Sequence, residues 1–423
     1  MSRKTLRIAV LSLHACPLGE LGTRHHGGMS VFVREVCMEL GRLGQRVDIY
    51  TGAVEANHDA VMRLGDRVRL IHLSPGDGDP PSPDAIFSRM DDYLQALERY
   101  RRRERAAYDL VHSHYWLSGL LGERASRAWG VPHLLMFHTL GEVKNRSRAL
   151  PREPAARLRA ERHLARSSTR VLAATQEEKR FLARHAGVPA HRIGVVPCGV
   201  NLRRFVLSDR SVQRDRLELH PKGPVLLFVG RFDGVKGLDR LVSAMAELEH
   251  LKDLSLVLVG GDGPGAPETS RLMRLARELG VARRVRFEGT VPQKRLPAYY
   301  AAADVLVIPS LSESFGLAAL EALACGTPVL SSRVGVMASL LGNGGSLGRI
   351  IPDTRPRGLA QSIEGFLEHL RVRPPSPEEL RDAVRPFGWR RVARTLMDQY
   401  LRSSQAGGKA PQPAAAKQEG ERS

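Results

Sequence analysis

The stretch SESFGLAALEALACGTPV, residues 312 to 329, sets Glu313 and Glu321 around a Phe-Gly turn in an otherwise apolar run. A carboxylate beside aliphatic side chains is costly unless something pairs with it. The preceding DVLVIPS (304 to 310) has strand character, and FGLAALEALACG has helical spacing. Ser314, Phe315, Gly316 and Leu317 therefore form a helix start, whose free backbone N–H groups suit an anion, above all a phosphate. Gly316 lets the backbone come close to that ligand. The two glutamates would be repelled by the phosphate itself, but they can accept hydrogen bonds from the hydroxyls of a hexose and a ribose. Together these groups point to a nucleotide sugar. The competing reading, a capping glutamate plus a surface helix glutamate, fits poorly with the apolar neighbours of Glu321.

A second phosphate signal lies in VGRFDGVKGLDRL, residues 229 to 241. It departs from the P-loop, which needs Gly where Val235 stands and a hydroxyl where Gly237 stands, so Walker-type ATP binding is not expected. What remains is Arg231 and Lys236 directly after a strand, two cations suited to neutralising a diphosphate leaving group. HHGGMSVFVREV (25 to 36) opens a helix with a Gly pair, by itself only a tight connection. VGGDGPG (259 to 265) lacks the dinucleotide spacing, so NAD is not implied. His14, His112, His114 and His138 gather at strand ends but have no accompanying carboxylate or Cys at a metal-site spacing, which favours hydrogen bonding to a polar ligand over zinc.

These residues need a scaffold, and the chain supplies short apolar runs alternating with helical stretches. One series is LRIAVLSL (6 to 13), RVDIYTG (46 to 52), VRLIHLS (68 to 74), YDLVHSH (108 to 114), PHLLMFHT (132 to 139), RVLAAT (170 to 175) and IGVVP (193 to 197). A second is PVLLFVG (224 to 230), LSLVLVG (254 to 260), RVRFEG (284 to 289), DVLVIPS (304 to 310) and TPVLSS (327 to 332). Such alternation predicts an α/β fold with two Rossmann-like, doubly wound parallel sheets facing across a cleft, ligands sitting at the carboxyl ends of the strands. The expected domains are 1–203 and 204–386, with a hinge in the polar stretch near 201 to 223. A final helix at 387–403 packs back toward the first domain, and 404–423 forms a disordered tail rich in Ala, Gly, Pro and charge.

The composition agrees. With 423 residues there is room for two or three domains. A balance of 64 basic to 45 acidic residues gives a formal charge of +19, which favours anionic partners: nucleic acid, acidic lipid headgroups or phosphorylated small molecules. Cys16, Cys37, Cys198 and Cys325 are scattered without a C-x-x-C pair, arguing against structural zinc and a disulfide framework and for a reducing, cytoplasmic setting. MSRKTLRIAVLSLHAC mimics a signal peptide, yet its apolar part is very short and the Gly-rich loop and helix after it read as following a first buried strand.

Taken together, E-x-F-G-x-x-x-x-E at Glu313 to Glu321, GR…KG at 230 to 237 and GG at 27 to 28 resemble the retaining, two-domain (GT-B) glycosyltransferases of family four, over about residues 6 to 403. HSHYWLSG (112 to 119), FHTLGEVKN (137 to 145) and ATQEE (174 to 178) look most like its sucrose-phosphate-synthase and mycothiol-pathway branch. The resemblance implies a UDP-glucose or UDP-N-acetylglucosamine donor, with Arg231 and Lys236 on the diphosphate, Glu313 and the 314 to 317 amides on sugar and phosphate, Glu321 on ribose, and Gly28 facing the diphosphate from the other domain. It implies Tyr115, His138, Thr139 and Arg157 (Arg159 being the alternative) around a hydroxyl acceptor such as a sugar, sugar phosphate, inositol phosphate or lipid headgroup. It also implies catalysis by Arg231, Lys236, Glu313 and His138 without a metal or other cofactor. The sequence departs from the branch in one loop: LSPGDGDPPSPDA (73 to 85) lacks the basic residue that grips an acceptor phosphate, and GGMN has become GGMS. A UDP-sugar epimerase shares the architecture but would need an acid–base pair of its own. A nucleic-acid-binding role would rest on LERYRRRERAAY (97 to 108), whose helical spacing fits better a solvated face touching an anionic membrane surface.

Overall fold

The computed structural model describes residues 5–18, 27–52, 61–74, 82–146, 152–219, 223–263, 265–342 and 345–406. His25 and His26, residues 75–81 of the loop at 73–85, and the tail from 407 on lie outside these. The first sheet holds β1 (Arg7–Leu11), β2 (Arg46–Gly52), β3 (Val61–Gly65), β4 (Val68–Leu73), β5 (Leu110–His114), β6 (His133–Met136), β7 (Arg170–Ala173) and β8 (Ile193–Val195). They lie in the order β3-β4-β2-β1-β5-β6-β7-β8. The second sheet holds β9 (Val225–Val229), β10 (Ser255–Val259), β11 (Val285–Gly289), β12 (Val305–Ile308), β13 (Val329–Ser331) and β14 (Gly348–Ile350), ordered β11-β10-β9-β12-β13-β14.

Strands such as β1 and β12, apolar on both sides, are buried on both faces because helices cover the two surfaces of a parallel sheet. Two strands escape the run-by-run reading. Strand β3 pairs antiparallel with β4 at one edge, so the first sheet is not wholly parallel. Strand β14 adds a short edge beside β13.

Each sheet reverses its order once, between β1 and β5 in the first and between β9 and β12 in the second. Crevices open at such switch points, beyond the carboxyl ends of the strands. The chain crosses between sheets twice, side by side: Val200 bridges Gly388, and the Val200 amide donates to the Phe387 carbonyl at 2.8 Å. The final helix, Trp389–Ala406, returns to the first sheet. There the Tyr400 hydroxyl meets His112 Nδ1 at 2.8 Å, and Arg170 Nε donates to Gln399 at 2.8 Å.

Candidate active site

The second sheet supplies one wall from its switch point. After β9 the chain runs through Gly230 and Arg231 into a 3-10 turn at Gly234–Lys236, and Gly237 follows at φ +69°. A Cβ on Gly237 would stand 2.6 Å from the Pro309 carbonyl, which explains why glycine occupies the place where a P-loop carries a hydroxyl. The loop after β12 lies against this turn, with the Leu311 amide donating to the Val235 carbonyl at 2.7 Å. Lys236 Nζ and Glu313 Oε1 thereby meet at 2.5 Å, their side chains 13% and 19% exposed. Ser310 Oγ donates to the same carboxylate oxygen at 3.0 Å.

Arg231 is 42% exposed and pairs with Asp233 at 3.1 Å. Each cation thus carries a carboxylate before any ligand arrives. Lys236 keeps two further N–H donors for a phosphate.

Gly316 precedes the helix Leu317–Ala324 with φ +104° and ψ +55°. The first amides of this helix lack an intrahelical partner, apart from Ala319, which donates to the Gly316 carbonyl at 3.2 Å. One turn inside, Glu321 is only 8% exposed and accepts the Tyr300 hydroxyl at 2.7 Å. Burial, the dominant cause, pushes its carboxyl up to about 7, against the opposing effects of Tyr300, Arg204 and Gln293. Glu321 is therefore no surface helix residue.

The first sheet supplies the opposite wall from β1, β5 and β6. Gly28 opens the helix Gly28–Arg42, and a Cβ there would stand 3.2 Å from Leu317 Cδ1, so the two walls nearly touch at this point. Tyr115 and His138, just beyond β5 and β6, both adopt left-handed backbone, φ +74° and +59°. Such strain in non-glycine residues is held only where surrounding structure enforces it, commonly at binding sites. The Tyr115 ring lies 4.2 Å from His14 and beneath Arg157, whose guanidinium carbon is 4.8 Å from the ring centre. His138 Nε2 meets His114 Nδ1 at 2.8 Å, and burial holds the His138 imidazole down at about 3, hence neutral. It can hydrogen-bond a hydroxyl but cannot lend positive charge.

One cavity of 470 Å³ unites the two walls. It is lined by Gly28, Tyr115, His138 and Thr139 on one side and by Arg231, Lys236, Glu313, residues 314–317 and Glu321 on the other. Arg157 does not reach it. At 2% exposure it sits behind the wall, bonded to Glu161 Oε1 at 2.7 Å, to Glu153 Oε2 at 2.8 Å, and to both the carbonyl and hydroxyl of Thr139 at 3.0 Å. It holds Thr139 and lies over Tyr115, so of the four residues expected around an acceptor it is the one that stands behind the lining. ATQEE likewise has a local explanation: Thr175 caps the helix Gln176–His185, and Glu178 accepts the Ala174 amide at 2.7 Å.

Lys144, Thr290 and Gln293 also line the cavity and were not singled out from the sequence. Lys144 bonds Glu153 at 3.0 Å and brings a cation to the wall built on the first sheet. Its signal was its place in the short helix Gly141–Arg146 that follows β6; Thr290 and Gln293 follow β11. Among the described residues, no group of three or more His, Cys, Asp or Glu is placed to hold a metal ion. Among the described residues no helix is long and apolar enough to cross a membrane.

Residues 26–204 match the family described as Glycosyltransferase Family 4, and residues 209–385 match Glycosyl transferases group 1. D-inositol 3-phosphate glycosyltransferase 2 of Catenulispora acidiphila is 39% identical over 406 residues, 94% of this chain and 95% of that protein. The D-inositol 3-phosphate glycosyltransferase of Nocardiopsis dassonvillei is 38% identical over 404 residues, 93% of this chain and 94% of that protein. Among solved structures, sucrose-phosphate synthase from Thermosynechococcus elongatus superimposes with a TM-score of 0.86 at 30% identity, covering 95% of this chain and 100% of that one. Anabaena HepE in complex with UDP-glucose shares the fold, with a TM-score of 0.74 at 20% identity over 94% of this chain and 100% of that one. With that identity spread over nearly the whole length, and with the two sheets and their shared cleft in place, the chain belongs to glycosyltransferase family 4 and is a hexosyltransferase of the GT-B fold.

Proposed function

We propose that the enzyme moves glucose or N-acetylglucosamine from a UDP-sugar, with retention, to a hydroxyl of a phosphorylated polyol of the inositol phosphate class. The observation that carries this is the single cavity in which an anion-binding wall faces a hydroxyl-binding wall. On the donor side Arg231, Lys236 and the amides at 314–317 take the diphosphate, Glu321 the ribose and Glu313 the hexose. On the acceptor side Tyr115, His138 and Thr139 offer hydrogen bonds, and Lys144 supplies the positive charge that the loop at 73–85 lacks.

Charge builds on the departing diphosphate as the glycosidic bond breaks. Fixed cations and amides in a partly dry cleft stabilise that charge without reorganising. The leaving phosphate oxygen accepts the acceptor proton on the same face, so no protein nucleophile and no metal is required. The curated relatives are named for an inositol phosphate acceptor, which supports this choice over a hexose phosphate.

Calorimetry with UDP, GDP and ADP, followed by incubation of the matching nucleotide sugars with D-inositol 3-phosphate or a hexose phosphate, tests the reading. The expected result is tight UDP binding and an α-linked glycosyl inositol phosphate seen by NMR. Failure to bind UDP, or product only with an uncharged acceptor, overturns it.

A further inference from the structure

A second concave site lies behind the cleft, where the chain crosses between the sheets. It is a groove of 1070 Å³ between the helix Gly28–Arg42, the crossing segment at 200–204 and the start of the final helix. Its lining is strongly basic. Glu35 and Glu39, its two acids, are engaged already: Arg34 meets Glu35 at 3.2 Å, Arg204 meets Glu35 at 4.0 Å, and Arg42 pairs with Glu39. Arg203, Arg390, Arg391 and Arg394 are exposed in the same groove and make no ion pair among the described residues.

Some exposed arginines elsewhere on this chain are neutralised by an acid, as Arg271 is by Glu268 and Arg355 by Asp353. Four unpaired guanidiniums converging from two segments form instead a receptor for several phosphate oxygens at once, which planar forks bind bidentately.

The groove also touches the catalytic cavity through one side chain. Arg34 Nη2 donates to Gln293 Oε1 at 2.8 Å, and Arg204 Nη1 donates to the same oxygen. Gln293 lines the catalytic cavity and lies against the Glu321 carboxyl.

We propose that this groove binds a soluble polyanion carrying two or more phosphate groups, and that its occupation weakens donor binding through the Arg34–Gln293–Arg204 contact. Drawing the two arginines toward an anion releases the carboxamide they hold against Glu321. The added negative charge also lowers the potential felt by the donor diphosphate. The binding half stands on the groove alone, and the coupling half rests on the donor reading given above.

Inorganic tripolyphosphate is the probe, titrated calorimetrically into the full chain at physiological ionic strength with UDP saturating the catalytic cavity. Wild type should bind it, and Arg390→Gln/Arg391→Gln/Arg394→Gln should bind it at least about tenfold more weakly while holding UDP unchanged. In wild type, tripolyphosphate should weaken UDP binding about fivefold or more, by an equal and reciprocal amount.

Equal tripolyphosphate affinity in wild type and variant overturns the site. So does capture of anionic phosphatidylglycerol vesicles or RNA with no tripolyphosphate binding. Unchanged UDP affinity overturns the coupling alone. Should UDP itself fail to bind, the donor reading falls while the comparison of wild type with the variant still decides the site. If the triple variant does not fold, protection of Arg390, Arg391 and Arg394 from phenylglyoxal by tripolyphosphate, read by mass spectrometry in wild type, replaces it; no protection overturns the proposal.

Discussion

Glu321 shows how one buried carboxyl makes donor binding depend on pH. Its pKa stands at about 7 because burial disfavours the charged form. On the proposed reading the ribose hydroxyls donate to the ionised carboxylate, so binding must expel a proton whenever the pH lies below that value. Affinity is therefore full above 7 and falls about tenfold per unit beneath it, making a UDP-sugar about tenfold weaker at pH 6 than at pH 8. The diphosphate diester titrates nowhere in that window, and His138, held at about 3, stays neutral throughout. Calorimetry at the two pH values should show this slope, and Glu321→Gln should flatten it; a slope that survives the substitution removes Glu321 from the donor site. Lys236 poses a different question, because it neutralises Glu313 at 2.5 Å as well as facing the cavity. Lys236→Ala should lower turnover about a hundredfold if the ammonium stabilises departing charge. Comparing Glu313→Gln with Lys236→Ala/Glu313→Gln separates the two roles: if Lys236 merely balanced Glu313, the two would turn over alike, and we expect the double variant to be the slower by about a hundredfold.

At the scale of elements, the turn before the helix Leu317–Ala324 is the most constrained piece of the site. Gly316 has φ +104°, and a Cβ there would stand 2.8 Å from Met337 Cε. Gly316→Ala should keep the fold but tilt the amides, raising the donor KM about tenfold with less effect on the unfolding midpoint. Gly316→Ala/Met337→Ala relieves the contact and not the backbone strain, so it should not restore KM; recovery would show that crowding alone was at fault. The pieces legible in the sequence were those with strong local periodicity. DVLVIPS and PVLLFVG announce buried strands because nothing polar interrupts their apolar runs, and the position of a loop after such a strand locates Arg231, Lys236 and Glu313. VMRLG was missed because strand β3 is a half-buried edge whose Arg63 faces solvent. GRI was missed because β14 is three residues long and carries a charge. The place of Arg157 behind the lining is legible in part, because Glu153 and Glu161 stand four residues to either side, the spacing of helical ion pairs. Lys144 escaped notice because which face of a short helix meets a cleft is decided by tertiary packing, not by the residues of that helix.

The whole molecule works by holding two walls in register, and the final helix is the brace between them. Trp389 is buried against Phe32, ring centres 5.7 Å apart, and Phe32 in turn backs His138 at 5.4 Å and His114 at 5.7 Å. Gly199, in the crossing segment, packs directly onto the indole: a Cβ there would stand 2.5 Å from Trp389 Cδ2. The acceptor wall and the crossing point thus share one aromatic support, whereas the donor groups Arg231, Lys236, Glu313 and Glu321 all stand on the second sheet. Trp389→Leu leaves a cavity in that support and should lower stability by about 1–3 kcal/mol, less than full truncation to Ala would. The functional losses should divide unequally. UDP affinity should stay within about twofold, because its partners lie on the second sheet, while kcat falls and the acceptor KM rises together, as for a loosened hinge. Calorimetry with UDP beside steady-state kinetics with both substrates separates the cases. An equal loss of UDP binding would mean that the brace holds the donor wall as well, and that the two sheets do not divide the substrates between them.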